Sequence, residues 1–137
     1  MIIAAIDFGR RRLGIAAADP SGIVVYPAGV IQRHSLKRDL AALSSLLKEL
    51  EANRIIVGLP LNMDGTAGPA VRAAEQFAQH LRAATGLEVE LHDERLSTFE
   101  AAERLKTTSK RGRRAMVDAV AAVVILESWL EAQRYPR

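Results

Sequence analysis

Apolar and alternating segments at the start of the chain predict three short β-strands. The first is the apolar run at residues 2–7, and the next two alternate apolar and polar positions. The alternating positions are Leu13, Ile15 and Ala17 in the second strand, and Val24, Tyr26, Ala28 and Val30 in the third. A Pro20-Ser21-Gly22 turn separates these two strands. Because the connections are short, we expect antiparallel hairpins.

The rest of the chain alternates between helical and strand patterns. The expected helices lie at about 36–52, from Pro69 to Gly86, at 98–106 and at 114–133, and the expected strands lie at 54–58 and 87–92. Strand hairpins followed by this alternation predict an α/β fold, with a mixed sheet and helices on its faces. The length is that of one domain, so we expect residues 1–137 to form a single domain.

Two of these helices have clear buried faces and ends. In the first, the residues at helical spacing are Leu36, Leu40, Leu43, Leu47 and Leu50. In the second, the expected inward residues are Val71, Ala74, Phe77, Ala78 and Leu81. Ser35 can cap the start of the first helix, and Gly86 can end the second.

Composition restricts the class of protein. The 137 residues include no cysteine, which excludes disulfides and thiolate metal sites. The apolar strand begins at residue 2, which leaves no room for a signal peptide. No apolar run reaches the roughly 18 residues of a membrane span. We therefore expect a cytoplasmic protein that does not use a membrane as partner.

Positive charge is concentrated in two segments of a chain with net charge +3. Residues 104–114 hold six basic residues and no acid, and Arg10-Arg11-Arg12 forms a second cluster. Such clusters favour a nucleic-acid partner, although a solvated loop would produce the same pattern. Aromatic residues make up 4% of the chain, so we expect contacts to phosphates and shape rather than base stacking. The candidate phosphate-binding residues are Arg10, Arg12, Lys110, Arg111, Arg113 and Arg114, the last four in a loop that precedes the final helix.

Three acids adjoin apolar segments. Asp7 ends the first strand, Glu94 follows the fifth, and Asp118 lies on or beside the buried stripe of the last helix. A carboxylate against a packed surface is costly unless it is compensated, and one divalent cation would compensate all three. If the acids meet at a sheet end, oxygen ligands of this kind favour Mg²⁺ or Mn²⁺. The three histidines show no paired spacing for zinc.

Each acid also has a simpler explanation. Asp7 can start a hairpin turn, and Glu94 can be a solvated partner of Arg95. Asp118 can be favoured by the dipole of a nearby helix start. Asp93 competes for the role given to Glu94.

Four motifs in order make the chain resemble a known family. They are Asp7-Phe8-Gly9 with Gly14, Val57-Gly58-Leu59-Pro60-Leu61-Asn62-Met63-Asp64-Gly65-Thr66, Asp93-Glu94-Arg95-Leu96-Ser97-Thr98 and Val117-Asp118-Ala119-Val120-Ala121-Ala122. The chain resembles the YqgF/RuvX family from Ile2 to about Leu130. These are bacterial nucleases with a ribonuclease H-like fold, related to Holliday-junction resolvases and described as processing the 5′ end of precursor 16S ribosomal RNA.

The resemblance implies a fold, an activity and a site. The fold would be a five-stranded mixed sheet with its first three strands antiparallel and helices on both faces. The activity would be metal-dependent hydrolysis of phosphodiester bonds, with RNA favoured over DNA. Asp7, Glu94 and Asp118 match the family's acidic triad, which would serve both as catalytic residues and as metal ligands.

Alternative functions remain open at this point. True resolvases carry an acid at the end of the fourth strand and another one helical turn before the last acid, where this chain has Gly58-Leu59-Pro60 and Ala115. A Holliday-junction resolvase acting as a homodimer is one alternative, and a non-catalytic RNA-binding module is another. A sugar-kinase or actin-like ATPase shares the sheet but needs a second domain and a second Gly-rich loop.

Overall fold

The computed structural model describes residues 1–60, 62, 64–93 and 110–134, with the backbone alone for 110–118. Within these ranges the chain forms five strands and three helices. In chain order they are β1 (Ile3–Phe8), β2 (Arg12–Ala18), β3 (Val25–Gln32), α1 (Leu36–Glu49), β4 (Arg54–Leu59), α2 (Pro69–Thr85), β5 (Glu88–Asp93) and α3 (Lys110–Arg134). The predicted helix at 98–106 lies outside the described residues.

The strands form one mixed sheet in the order β3-β2-β1-β4-β5. The first three strands are antiparallel neighbours, as predicted from their short connections. β4 pairs parallel with β1, and β5 pairs parallel with β4, because helical crossovers return the chain to the same end of the sheet. The carboxyl ends of β1, β4 and β5 therefore share one edge.

Alternating residues of the strands bury the two faces of the sheet against different helices. Ala4 and Ile6 belong to a first core with residues of α1 and α2, whereas Ala5 belongs to a second core with residues of α3. The inward residues predicted for α2 are all buried. Helices thus cover both faces, which confirms the predicted architecture.

The ends of the first two helices follow local chemistry. The Ser35 side chain accepts a hydrogen bond from the Arg38 backbone N–H, so it caps α1 as predicted. α1 ends at Glu49, earlier than predicted, and Glu51 takes the left-handed conformation with φ 57°. Gly86, with φ 71°, ends α2. Among the described helices, none combines the length and apolar character needed to cross a membrane.

The start of α3 corrects the prediction for the basic segment. The helix begins at Lys110, so Lys110, Arg111, Arg113 and Arg114 lie in its first turns rather than in a preceding loop. The predicted start at 114 left Gly112 outside the helix, but a glycine inside a helix costs only about 1 kcal/mol. The long apolar stretch that follows packs against the sheet and outweighs this cost.

Candidate functional site

Asp7 lies near the carboxyl end of β1, on the face of the sheet that α3 covers. Strand alternation gives this placement, because Ala5 packs in the second core and Asp7 is two residues further along. The side chain is half-buried and takes part in an interaction of its own. Asp7 therefore adjoins the packed core while remaining open to solvent.

Glycines occupy the positions beside Asp7 on both neighbouring strands. Gly14 of β2 is its antiparallel partner. On the other side, Ile6 of β1 pairs with Val57 of β4. Asp7 follows Ile6 and Gly58 follows Val57, so Gly58 lies beside Asp7. Both glycines are buried, and neither contributes a side chain beside the Asp7 carboxylate.

The end of β5 lies at the same edge. Asp93 is the last residue of this strand and pairs with Leu59, the last residue of β4. Glu94 follows directly in the chain but lies outside the described residues. Asp93 is half-buried and makes an interaction of its own, so the choice between Asp93 and Glu94 stays a prediction.

Asp118 belongs to α3, eight residues after the helix begins at Lys110. An N-terminal dipole acts within the first turn, so the simpler explanation of Asp118 as a helix-start acid is wrong. One and two turns later, Ala122 and Ile125 are fully buried in the second core, against the face that carries Asp7. The side chain of Asp118 lies outside the described residues. Among described side chains, no three potential metal ligands group together.

The predicted phosphate-binding residues fall in two places. Arg10 and Arg12 are exposed on the β1–β2 turn and at the start of β2, next to Asp7. The other four lie in the first turns of α3, where no acidic residue is present. Basic residues near a helix N-terminus interact unfavourably with the helix dipole, so stabilisation of α3 does not explain their presence there.

Contacts between α3 and β5 fix the helix on this face. The Trp129 indole N–H donates to the Glu90 carboxylate. His92 and Ser128 share a hydrogen bond of 2.9 Å between Nε2 and Oγ. Burial lowers the pKa of His92, while the negative charges of Asp93 and Glu90 oppose that shift. These contacts hold α3 against the strand whose end precedes Glu94.

Sequence reasoning missed a polar cluster on the opposite face. Arg33 pairs with Asp39 at 3.3 Å and donates to the Gly9 carbonyl at 2.9 Å. Asp39 is 2% exposed and is the one buried charged residue among those described. The signal was its place one helical turn before buried Leu43, which puts an acid on the inward face of α1.

Side chains of the loop after β4 form hydrogen bonds with one another. Asn62 Nδ2 donates to Thr66 Oγ1 at 2.9 Å, and Thr66 Oγ1 donates to Asp64 Oδ1 at 2.6 Å. Gly65 takes the left-handed conformation, with φ 88°. These hydrogen bonds between polar side chains stabilise the turn itself.

Comparison with known proteins gives the family. A family model described as "RuvX: Holliday junction resolvase" matches residues 1–132. A relative from Anaeromyxobacter sp. (strain Fw109-5), named "Putative pre-16S rRNA nuclease", is 47% identical over 93% of this chain and 95% of its own. A relative of the same name from Myxococcus xanthus is 43% identical over 96% of this chain and 88% of its own.

The fold is also found in solved structures. RuvC of Thermus thermophilus, in complex with a Holliday junction substrate, superposes with a TM-score of 0.64 at 14% identity. The match covers 98% of this chain and 97% of that chain, so the whole described architecture is shared. Taken with the family model and the relatives, this shows that the chain belongs to the RuvX family.

Proposed function

We propose that this protein is a metal-dependent nuclease that processes precursor 16S ribosomal RNA. The observation that carries the proposal is the placement of Asp7 on the α3 face, at the shared edge of the parallel strands and between Gly14 and Gly58. The same edge is where β5 ends before Glu94. The substrate follows from the names of the relatives, which share nearly half of their residues with this chain.

The residues fit a hard divalent cation. Asp7 offers a carboxylate beside two positions without side chains, and Asp118 lies one turn before residues that pack on the same face. Mg²⁺ or Mn²⁺ would be held by Asp7, Glu94 and Asp118 through oxygen. Such an ion supplies a water of lowered pKa and neutralises charge on the phosphate.

The basic side chains have a separate role, which is to bind the phosphates of the RNA backbone. Arg10 and Arg12 adjoin Asp7, and the four basic residues at the start of α3 precede Asp118 in the same helix. A helix N-terminus already favours anions through its free N–H groups. Phosphates bound there would relieve the repulsion among the basic residues and place the backbone near the carboxylates.

Junction resolution is the second candidate, favoured by the description of the family model. Its difficulty is that this chain has Gly58-Leu59-Pro60 and Ala115 where resolvases have acids. The missing carboxylates argue against junction resolution more than against metal-dependent hydrolysis.

The test is a pair of measurements on the same variants. Asp7→Asn and Asp118→Asn should lower cleavage of a precursor 16S leader by at least about 100-fold, since each removes a charge that would hold the metal. RNA affinity should change by less than about threefold, because phosphate contacts supply most of the binding. Chelation with EDTA should reproduce the loss in the unaltered protein.

Lys48→Ala, at the far end of α1, is the matched control and should cleave normally. Retained cleavage in either Asn variant would rule out the carboxylate site. Faster cleavage of a four-way DNA junction than of the leader would favour the resolvase alternative. Binding without cleavage of any substrate would favour the non-catalytic module.

A further inference from the structure

We infer that Arg33 and Asp39 form a positioning pair that holds the β1–β2 turn and thereby fixes Asp7. The inference rests on the proposed function, in which Asp7 is a metal ligand. Nothing in the family match or in the names of the relatives gives these two residues a role. Their contacts with the turn carry the inference.

The turn itself is tight and depends on Gly9. The Gly9 N–H donates to the carbonyls of Asp7 and Arg12, each at 3.1 Å. A Cβ at Gly9 would lie 2.5 Å from the Arg12 carbonyl oxygen, which the backbone could not accept without moving. Glycine is therefore required by the geometry of the turn itself.

Arg33 forms hydrogen bonds to this turn through both its backbone and its side chain. Its N–H donates to the Arg11 carbonyl at 2.8 Å, and its guanidinium donates to the Gly9 carbonyl at 2.9 Å. The guanidinium also lies over the Phe8 ring, 4.6 Å from the centroid. Arg33, which directly follows β3, thus contacts Phe8, Gly9 and Arg11 in the segment that follows Asp7.

The Asp39 carboxylate holds the Arg33 guanidinium in place. One carboxylate oxygen accepts from Arg33 Nε at 3.3 Å, and the other accepts from the His34 backbone N–H at 2.9 Å. A position in the first turn of α1 would favour an acid, but the dipole alone does not require 2% exposure. Burial of a carboxylate is tolerated when it is paired and hydrogen-bonded, as here.

The pair acts from the opposite face of the sheet. Phe8 packs against the first core and stacks on Phe77, with centroids 4.4 Å apart, whereas Asp7 is on the α3 face. Arg33 therefore does not reach a ligand bound at Asp7. Its influence passes through the backbone of Phe8 and Gly9, which makes it a positioning residue.

Arg33→Lys tests the pair because lysine keeps the charge but cannot pair with Asp39, donate to Gly9 and cover Phe8 together. We expect kcat for leader cleavage to fall by about 10-fold or more and the Mn²⁺ half-saturation to rise by a similar factor, as when outer partners of metal ligands are lost. KM for RNA should stay within about threefold. Amide exchange at Gly9 should speed up by at least about 10-fold, since the turn opens more often.

Arg82→Lys is the matched control. The Arg82 guanidinium also holds a backbone carbonyl, since its Nε and Nη2 donate to the Val89 carbonyl at 3.2 and 2.7 Å, but Val89 lies near the start of β5, at the opposite end of the sheet. We expect it to leave kcat, the Mn²⁺ half-saturation and Gly9 exchange unchanged.

Two results would overturn the inference: Gly9 exchange equal in the two variants, or kcat of Arg33→Lys within about twofold of the unaltered protein. An unaltered protein that neither cleaves RNA nor binds Mn²⁺ would sink the proposed function instead. In that case faster Gly9 exchange in Arg33→Lys alone would still support the hold of Arg33 on the turn.

Discussion

Asp7 illustrates how single residues define the site. A carboxylate beside a packed core needs compensation, and Asp7 stands between two residues that contribute no side chain. Gly14 and Gly58 are both buried, so neither is a surface turn residue. Neither adds a side chain beside the Asp7 carboxylate on the α3 face, as the proposed metal site requires.

Gly58→Ala is predicted to reduce cleavage by about 10–100-fold, because a methyl group beside Asp7 displaces the carboxylate or the substrate. Gly29→Ala is the control, since a Cβ there meets Leu46 at an ordinary 3.6 Å. Steady-state cleavage of the leader RNA is the readout, and urea unfolding checks that both variants fold. Equal activity in the two variants would contradict the role given to the space beside Asp7.

The next scale is the element, and α3 is the element that closes the site. Its apolar stretch packs on the sheet through residues such as Ala122 and Ile125. Near its far end, Ser128 and Trp129 bond to His92 and Glu90 of β5. The helix that carries the predicted ligand Asp118 is therefore held against β5, the strand that precedes Glu94 in the chain.

His92 gives this contact a dependence on pH. Burial lowers its pKa below the ordinary 6.5, so the folded state favours the neutral ring while the unfolded chain takes up a proton below about that pH. The free energy of unfolding should therefore fall as the pH drops from 6.5 toward the folded pKa. The slope should stay well under the limit of about 1.4 kcal/mol per pH unit, because the ring is partly exposed.

Urea unfolding of His92→Gln over the same range measures this effect. The variant should lose the part of the slope that His92 supplies, whereas His80→Gln, an exposed site on α2, should keep it. An identical pH dependence in all three proteins would show that the α3–β5 contact does not titrate.

At the scale of the whole molecule, the charge distribution supports binding of a polyanion. The start of α3 carries four basic residues where the helix dipole disfavours them. Lys110→Ala combined with Arg111→Ala should reduce the slope of log affinity against log salt by about 1.4–1.8, or 0.7–0.9 for each lost phosphate contact. The free energy of unfolding should stay equal or rise slightly. An unchanged slope would mean that this helix start does not contact RNA.

The five strands and the antiparallel pairing of the first three were predictable from the sequence because they depend on local patterns and short connections. The order of the strands and the parallel pairs of β4 with β1 and β5 were not predicted, because they depend on long connections. The start of α3 was not predictable, since tertiary packing outweighs one glycine. The Arg33–Asp39 pair was missed because the inward position of Asp39 on α1 does not reveal its partner, and the contact of Arg33 with the β1–β2 turn leaves no spacing signal in the chain.

For the site, the sequence predicted which acids lie at the strand ends but not the geometry of their side chains. Asp7 lies near the carboxyl end of β1, as expected, whereas Glu94 and the side chain of Asp118 lie outside the described residues. Whether the three acids meet depends on the approach of α3 to the end of β5. No periodicity in the sequence encodes that distance.

The most direct measurement of the central claim is a crystal structure of the protein soaked with Mn²⁺, read from anomalous scattering. The account predicts at least one Mn²⁺ within about 2.5 Å of an Asp7 carboxylate oxygen and also bonded to Glu94 or Asp118. Carboxylates of residues 7, 94 and 118 directed to separate parts of the surface, with no ion near Asp7 in crystals of an RNA-cleaving preparation, would contradict it.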